Sequence, residues 1–299
     1  MRVFVTGASG WVGSVAVREL LSAGHQVVAL ARSDRAAAAV AEPGVDVIRG
    51  DLDDLESLRS GAKAADGVVH LAYHHDFSQM DKAARMDLDA IAAFGDVLEG
   101  TDRPLVIAAG TLGLAADRTA TERDTGDPRA HPRVANAQAA LELAARGVRS
   151  SVVRFAPSVH GEGDYGLVPA LIEFARTTGV SAYIGDGANR WPAVHRLDAA
   201  TLVRLAVDEA PAGSTLHAVA EEGVPTRAIA EAVGRGLGLP VASISTEQAA
   251  EHFGWLGRFF SADCPASSAL TRELLDWRPT HHGLIEDLEE GHYFGAAGR

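Results

Sequence analysis

Residues 2–17, RVFVTGASGWVGSVAV, constrain the fold more than any other stretch of the chain. A short apolar run ends at Thr6, and Gly7, Gly10 and Gly13 then follow in G-x-x-G-x-x-G spacing. The sequence continues at once into a helical pattern with Val12, Ala16, Leu20 and Ala23 on one face and Gly24 at its end. Glycines so placed permit a tight turn, let the backbone approach a pyrophosphate, and let helix and strand pack closely. The new helix offers unpaired N–H groups and the positive end of its dipole to phosphate. Thr6, Ser9, Trp11 and Val12 share this turn and are read, with the three glycines, as cofactor-binding residues.

The alternation continues through HQVVALAR, VDVIRGD, ADGVVHLAY, RPLVIAAG and SSVVRFAP, short apolar runs separated by helical stretches. Such runs imply right-handed crossovers and a parallel sheet covered on both faces, an α/β fold of the Rossmann type, doubly wound. After Pro157 the pattern loosens. The expected division is a dinucleotide-binding domain over 1–156 and a smaller C-terminal substrate lobe over 157–299, interwoven with the last sheet strands. A net charge of −13 argues against a nucleic-acid face or docking on anionic membrane. The single cysteine, Cys264, excludes an internal disulfide and has no adjacent base. With no apolar run near ~18 residues and no signal-like N-terminus, a cytoplasmic protein is expected.

The second strand ends in ALARSD. A cofactor with a free ribose 2′-hydroxyl usually meets an acid roughly 20 residues beyond the glycine turn. Arg32 stands there with Ser33 beside it, and a guanidinium suits a 2′-phosphate. NADP(H) is therefore the expected cofactor, favoured over NAD; the alternative is a solvated arginine at a strand end, a reading that neighbouring Asp34 supports. Asp51 and Leu52, at the end of the third strand, are placed to meet the adenine.

Together TGASGWVG, GDLDD, VVHLAY, VRFAPSVHGEG and WPAVHRLDAA resemble the extended short-chain dehydrogenase/reductase superfamily of NAD(P)-dependent epimerases, dehydratases and reductases. The resemblance covers about residues 1–205 and implies that Leu71, Ala72, Tyr73, Phe155 and Ser158 also face the cofactor. It implies homodimerisation only by family analogy. The superfamily's proton donor is the tyrosine of Y-x-x-x-K. Here Arg129 and Arg133 occupy those two places, and the usual serine or threonine position shows Ala108 and Ala109, with Thr111 slightly downstream. The chain resembles an atypical branch with basic residues in place of the pair.

Arg133 can hold a ribose and stabilise a developing oxyanion but cannot give up a proton usefully. His131 is a candidate acid, with Pro132 suited to the first helical position behind it. His74 and His75 follow the fourth strand, His160 the sixth, and His195 stands on a lobe strand; all four are candidates for touching substrate. Tyr73 and Tyr165 are further donors. His70 and His217, within strands, read as core residues. His281 and His282 lack a third ligand at recognisable spacing, so a polar turn is expected and no metal is assigned. Phe253, Trp255, Leu256, Phe259 and Phe260 could line an apolar pocket or simply pack the lobe. The reading is an NADP-dependent oxidoreductase reducing a carbonyl or related C=X bond of a small organic molecule. Its alternatives are an NADP-binding redox sensor without turnover and a cofactor-retaining epimerase-type enzyme.

Overall fold

A computed structural model describes residues 1–74, 79–129 and 132–295. The first half repeats strand and helix: β1 (Arg2–Thr6), α1 (Trp11–Ser22), β2 (Gln26–Ala31), α2 (Asp34–Ala39), β3 (Val45–Arg49) and α3 (Leu55–Lys63). It continues through β4 (Gly67–His70), α4 (Met80–Leu98), β5 (Pro104–Gly110), α5 (Pro132–Glu142) and β6 (Arg149–Phe155). Then come β7 (Ser158–His160), α6 (Leu167–Thr178), β8 (Ser181–Ile184), β9 (Arg190–His195), α7 (Arg196–Glu209) and β10 (Ser214–Ala218). The C-terminal part holds β11 (Glu221–Pro225), α8 (Thr226–Leu237), β12 (Val241–Ile244), α9 (Thr246–Phe253), α10 (Gly257–Phe260), α11 (Ala269–Leu275) and α12 (Leu284–Glu289).

Seven strands form a parallel sheet in the order β3-β2-β1-β4-β5-β6-β10. Strand order reverses between β1 and β4, and in open α/β sheets ligands bind at the carboxyl ends of strands flanking that reversal. One apolar core lies under α1 and α7, the other under α3, α4 and α5. Helix α1 buries Val15, Ala16, Val17 and Leu20, whereas Val12 is half-buried and Ala23 lies exposed beyond the last turn. The buried stripe is wider than one-sided packing predicts because α7 covers α1 from the far side. Gly24 does take the left-handed conformation that ends the helix, at φ 84°. Strand β3 is the sheet edge and is largely exposed, so its apolar pattern overstates its burial.

The chain does not leave this unit for good at residue 157: α7 lies against α1, and β10 pairs with β6. The lobe is built from the sheet β11-β9-β7 and the pair β12-β8, packed by α6, α8, α9 and α12. Phe253, Leu256 and Phe260 are buried in its core, Phe260 edge-on to Trp191 at 5.5 Å, while Trp255 and Phe259 remain exposed. That segment packs the lobe rather than lining a pocket as a set. Cys264 is buried, and burial and then Asp263 push its thiol up to about 12, an inert group at neutral pH. Among the described residues no helix is long and apolar enough to cross a membrane.

Candidate active site

Between β1 and α1, Gly7 adopts φ 71°, and a Cβ there would sit 2.6 Å from the Ala72 nitrogen, so the chain beyond β4 crosses directly over the turn. A Cβ on Gly13 would lie 1.9 Å from the Gly7 carbonyl, which only glycine allows. Gly10 caps α1 with no side-chain hydrogen bond, and the first turn carries no acid. The helix end therefore keeps its N–H groups and positive dipole for an outside anion, which is what a pyrophosphate needs. These residues fit a dinucleotide.

Trp11 anchors the turn to the lobe. Its indole N–H donates to the Val159 carbonyl at 2.7 Å. The Arg196 guanidinium lies 3.6 Å over its ring and donates to the Trp11 carbonyl and to Ser14 Oγ, both at 3.0 Å. Tyr165 packs edge-on against the same indole at 5.7 Å. Ser9 and Val12 complete the turn.

Past β2, Arg32 and Ser33 are exposed, and Ser33 caps α2 by accepting from Ala36 N. Asp34 is held by Arg49 across the sheet edge, not by Arg32. Arg32 makes no hydrogen bond or ion pair with any described residue, so its guanidinium is available to a ligand. Asp51 accepts from the Leu52 N–H at 2.7 Å, and Leu52 itself is buried.

A buried polar chain runs from the turn to α5. Thr6 Oγ1 accepts from the Ala72 N–H at 3.3 Å and donates to His70 Nδ1 at 2.6 Å. His70 Nε2 donates to Asp87 at 3.1 Å, and Asn136 Nδ2 donates to Asp87 at 2.7 Å and to the Ala84 carbonyl at 2.8 Å. Burial would raise the Asp87 carboxyl, but hydrogen bonds from His70 and Asn136 and the charge of Arg133 outweigh it and hold it low. One helical turn before Asn136, Arg133 donates to the Ala108 carbonyl at 3.1 Å and lies 4.0 Å over the Tyr73 ring. Burial raises the Tyr73 phenol, with Arg133 opposing, so it stays protonated near neutrality. Leu71, Ala72, Tyr73 and His74 are all half-buried along this edge.

Other sequence candidates fall differently. Pro132 opens α5 as expected, but His131 and His75 lie outside the described residues. Arg129 is exposed ahead of α5 and does not share the position of Arg133. Thr111 is buried, and its hydroxyl donates to the Phe155 carbonyl at 3.4 Å, turning it toward β6. Ser158 is buried with no hydrogen-bond partner for its hydroxyl among the described residues. His160 is fully buried and bonded to Asp287 at 2.8 Å. His195 accepts from Leu197 N and stacks on His281 at 4.7 Å; burial, then His160 and His281, lower it to about 4. The described partners of His160 and His195 thus belong to the lobe, not to Arg133. His70 and His217 are buried, as read from their strands.

Sequence reasoning missed Asp87, Asn136 and Arg196. Each resembles an ordinary helical polar residue until the fold brings it to its partner. The only usable signal was periodicity, since Asp87 and Asn136 each fall on the buried stripe of its helix.

A doubly wound sheet with a glycine turn at its switch point defines a dinucleotide-binding α/β protein. Comparison with known proteins carries this further: the model of the NAD dependent epimerase/dehydratase family matches residues 3–219, and the chain belongs to that family. An uncharacterized protein of Schizosaccharomyces pombe is 48% identical over 295 residues, covering 98% of this chain and 100% of the relative. The 2-alkyl-3-oxoalkanoate reductase of Stenotrophomonas maltophilia is 30% identical over 70% of this chain and 66% of its own. Among solved structures, MoeE5 in complex with UDP-glucose and NAD superimposes with a TM-score of 0.76 at 23% identity, covering 98% of each chain. UDP-glucose 4-epimerase from Thermus thermophilus, in complex with NAD, does so with 0.73 at 21% identity over 99% of this chain and 100% of that one. These likenesses concern the fold.

Proposed function

We propose that the protein is an NADP-dependent oxidoreductase that reduces a carbonyl or related C=X bond of a small organic molecule. The observation that carries this reading is Arg133, whose guanidinium reaches the edge of the cleft at β5 while stacked on Tyr73. The Stenotrophomonas relative, a named oxoalkanoate reductase, supports the choice of reduction. Gly7, Gly10 and Gly13 would hold the pyrophosphate, Asp51 the adenine, and Arg32 the 2′-phosphate. The nicotinamide ring, when bound, supplies the hydride.

The chain's own residues would then orient substrate and manage charge. Arg133 offers fixed donors to the oxygen that becomes negative, an effect strongest where water is excluded. Arginine keeps its proton, so the acid must be a neighbour. Tyr73, kept protonated by burial, is a described side chain beside Arg133 that can donate; His75 and His131 are the other candidates. The polar chain Thr6–His70–Asp87–Asn136 holds α5, and with it Arg133, at a set height over the glycine turn.

The test is single-turnover NADPH oxidation across a panel of aldehydes, ketones, imines and enones. Arg133→Ala should slow the best substrate by about 10²–10³-fold, the cost of losing one oriented oxyanion donor. A variant as fast as wild type would remove Arg133 from the chemistry. Tight NADPH binding with no oxidation by any substrate would favour the sensor reading.

A further inference from the structure

Five of the protein's twelve histidines, His160, His195, His281, His282 and His292, gather around α12, far apart in sequence. Asp287 is their pivot. Its Oδ2 accepts from His160 Nδ1 at 2.8 Å, which leaves Oδ1 facing His292 Nε2 at 3.8 Å. Glu290 binds His282 Nδ1 at 2.5 Å through one oxygen and turns the other toward His292 Nδ1 at 3.9 Å. One ligand atom from each of Asp287, Glu290 and His292 lies within 4.8 Å of the others. A cavity of about 180 Å³, walled by His195, His281 and His282, opens on the same two carboxylates.

Separations of 3.8 and 3.9 Å are too long for hydrogen bonds. They lie on opposite nitrogens of the His292 ring, so a single cation uses one of them; either gap is shorter than two metal–ligand bonds of about 2.0–2.2 Å laid end to end, and one ligand atom of each residue lies within reach of the others. One imidazole nitrogen adds independent support. His292 Nε2 is sealed from solvent with no hydrogen-bond partner among the described residues. His160 is itself wholly buried and fixes the orientation of Asp287, the arrangement that ligating carboxylates show around metals.

We propose that Asp287, Glu290 and His292 form a site for a divalent transition metal of the zinc class, with His282 completing the set by turning from Glu290. Mixed imidazole and carboxylate donors suit zinc, nickel or copper, whereas magnesium and calcium prefer oxygen alone. Tyr293, next to His292, accepts from Gly161 N at 3.0 Å and donates to Asp164 at 3.2 Å. A metal here staples the C-terminal segment on itself, the same segment whose Asp287 and Tyr293 bond His160 of β7 and the loop after it. Of the His281–His282 pair only His282 faces this cluster, since His281 is bonded to Asp198 at 2.8 Å.

The experiment uses untagged, chelator-stripped full-length protein, titrated with Zn²⁺ in competition with a chromogenic chelator and followed by thermal melting. The expected result is saturable binding of one equivalent and a rise in Tm, with Mg²⁺ and Ca²⁺ at least a hundredfold weaker. Glu290→Gln, at an exposed residue, and His292→Asn should each weaken zinc at least tenfold and abolish the rise, leaving the metal-free Tm nearly unchanged. Absence of stoichiometric binding at micromolar zinc overturns the site. So does zinc binding that both variants leave intact.

Discussion

Under the proposed function, Arg32 is the side chain that would set cofactor choice. It ends a buried strand, projects into solvent, and makes no described ion pair because Asp34 is occupied by Arg49. A solvated arginine at a strand end has this same geometry, so cofactor affinity is what separates the two readings. A charge-assisted contact is worth about 1.5–3 kcal/mol. NADPH should therefore bind roughly ten- to a hundredfold more tightly than NADH. Arg32→Ala should erase most of that preference and leave NADH affinity nearly unchanged. Isothermal titration of both cofactors with both proteins checks this, and equal dissociation constants in the wild type would remove Arg32 from cofactor selection.

At the scale of elements, the arrangement to explain is how α5 is held. Its apolar face is modest, burying only Ala137 and Ala140 beside Asn136. Much of its anchorage is polar: Asn136 to Asp87 on α4, and Asp87 to His70 at the end of β4. Removing one member of a buried, hydrogen-bonded set strands the others without water. Asp87→Ala should cost about 3–5 kcal/mol by urea unfolding. It should also slow turnover, because α5 carries Arg133. A loss under about 1 kcal/mol would mean that His70 and Asn136 find other partners.

For the whole molecule, the notable charge group lies where β6, β10 and the C-terminal segment meet. His217 donates from Nδ1 to the Ser267 carbonyl at 2.7 Å, while Arg154 approaches its Nε2 at 3.4 Å. Burial lowers His217 to about 4, so it stays neutral in the fold. An unfolded chain protonates it near 6.5 and binds the extra proton below that pH. Stability from this group is thus complete above about pH 6.5 and is lost as pH falls toward 4, by on the order of 3 kcal/mol. Tm measured from pH 8 to 4 should decline across that window. His217→Asn should flatten the decline while lowering Tm at pH 8. A wild-type Tm constant from pH 7 to 4.5 would contradict the neutral assignment.

Local sequence was enough for whatever depends on contacts along the chain. The glycine turn needs Gly7, Gly10 and Gly13 within one strand–helix join, and the parallel sheet follows from apolar runs spaced by helices; both could be read directly. His70 and His217 could be read as core residues from their position within strands, whereas Arg133 was set by the family resemblance, opposite the lysine of Y-x-x-x-K. Tertiary structure alone decided what depends on residues distant in the chain. Trp11 meets Arg196, Thr6 reaches Asn136 through His70 and Asp87, and His160 meets Asp287 only because separate crossovers bring strand and helix ends together. That the lobe would weave back into the last sheet strands was legible in sequence, but that β10 pairs with β6 and α7 packs on α1 was supplied by the fold. A buried polar residue differs from a solvated one only in its partners, and partners are supplied by the fold.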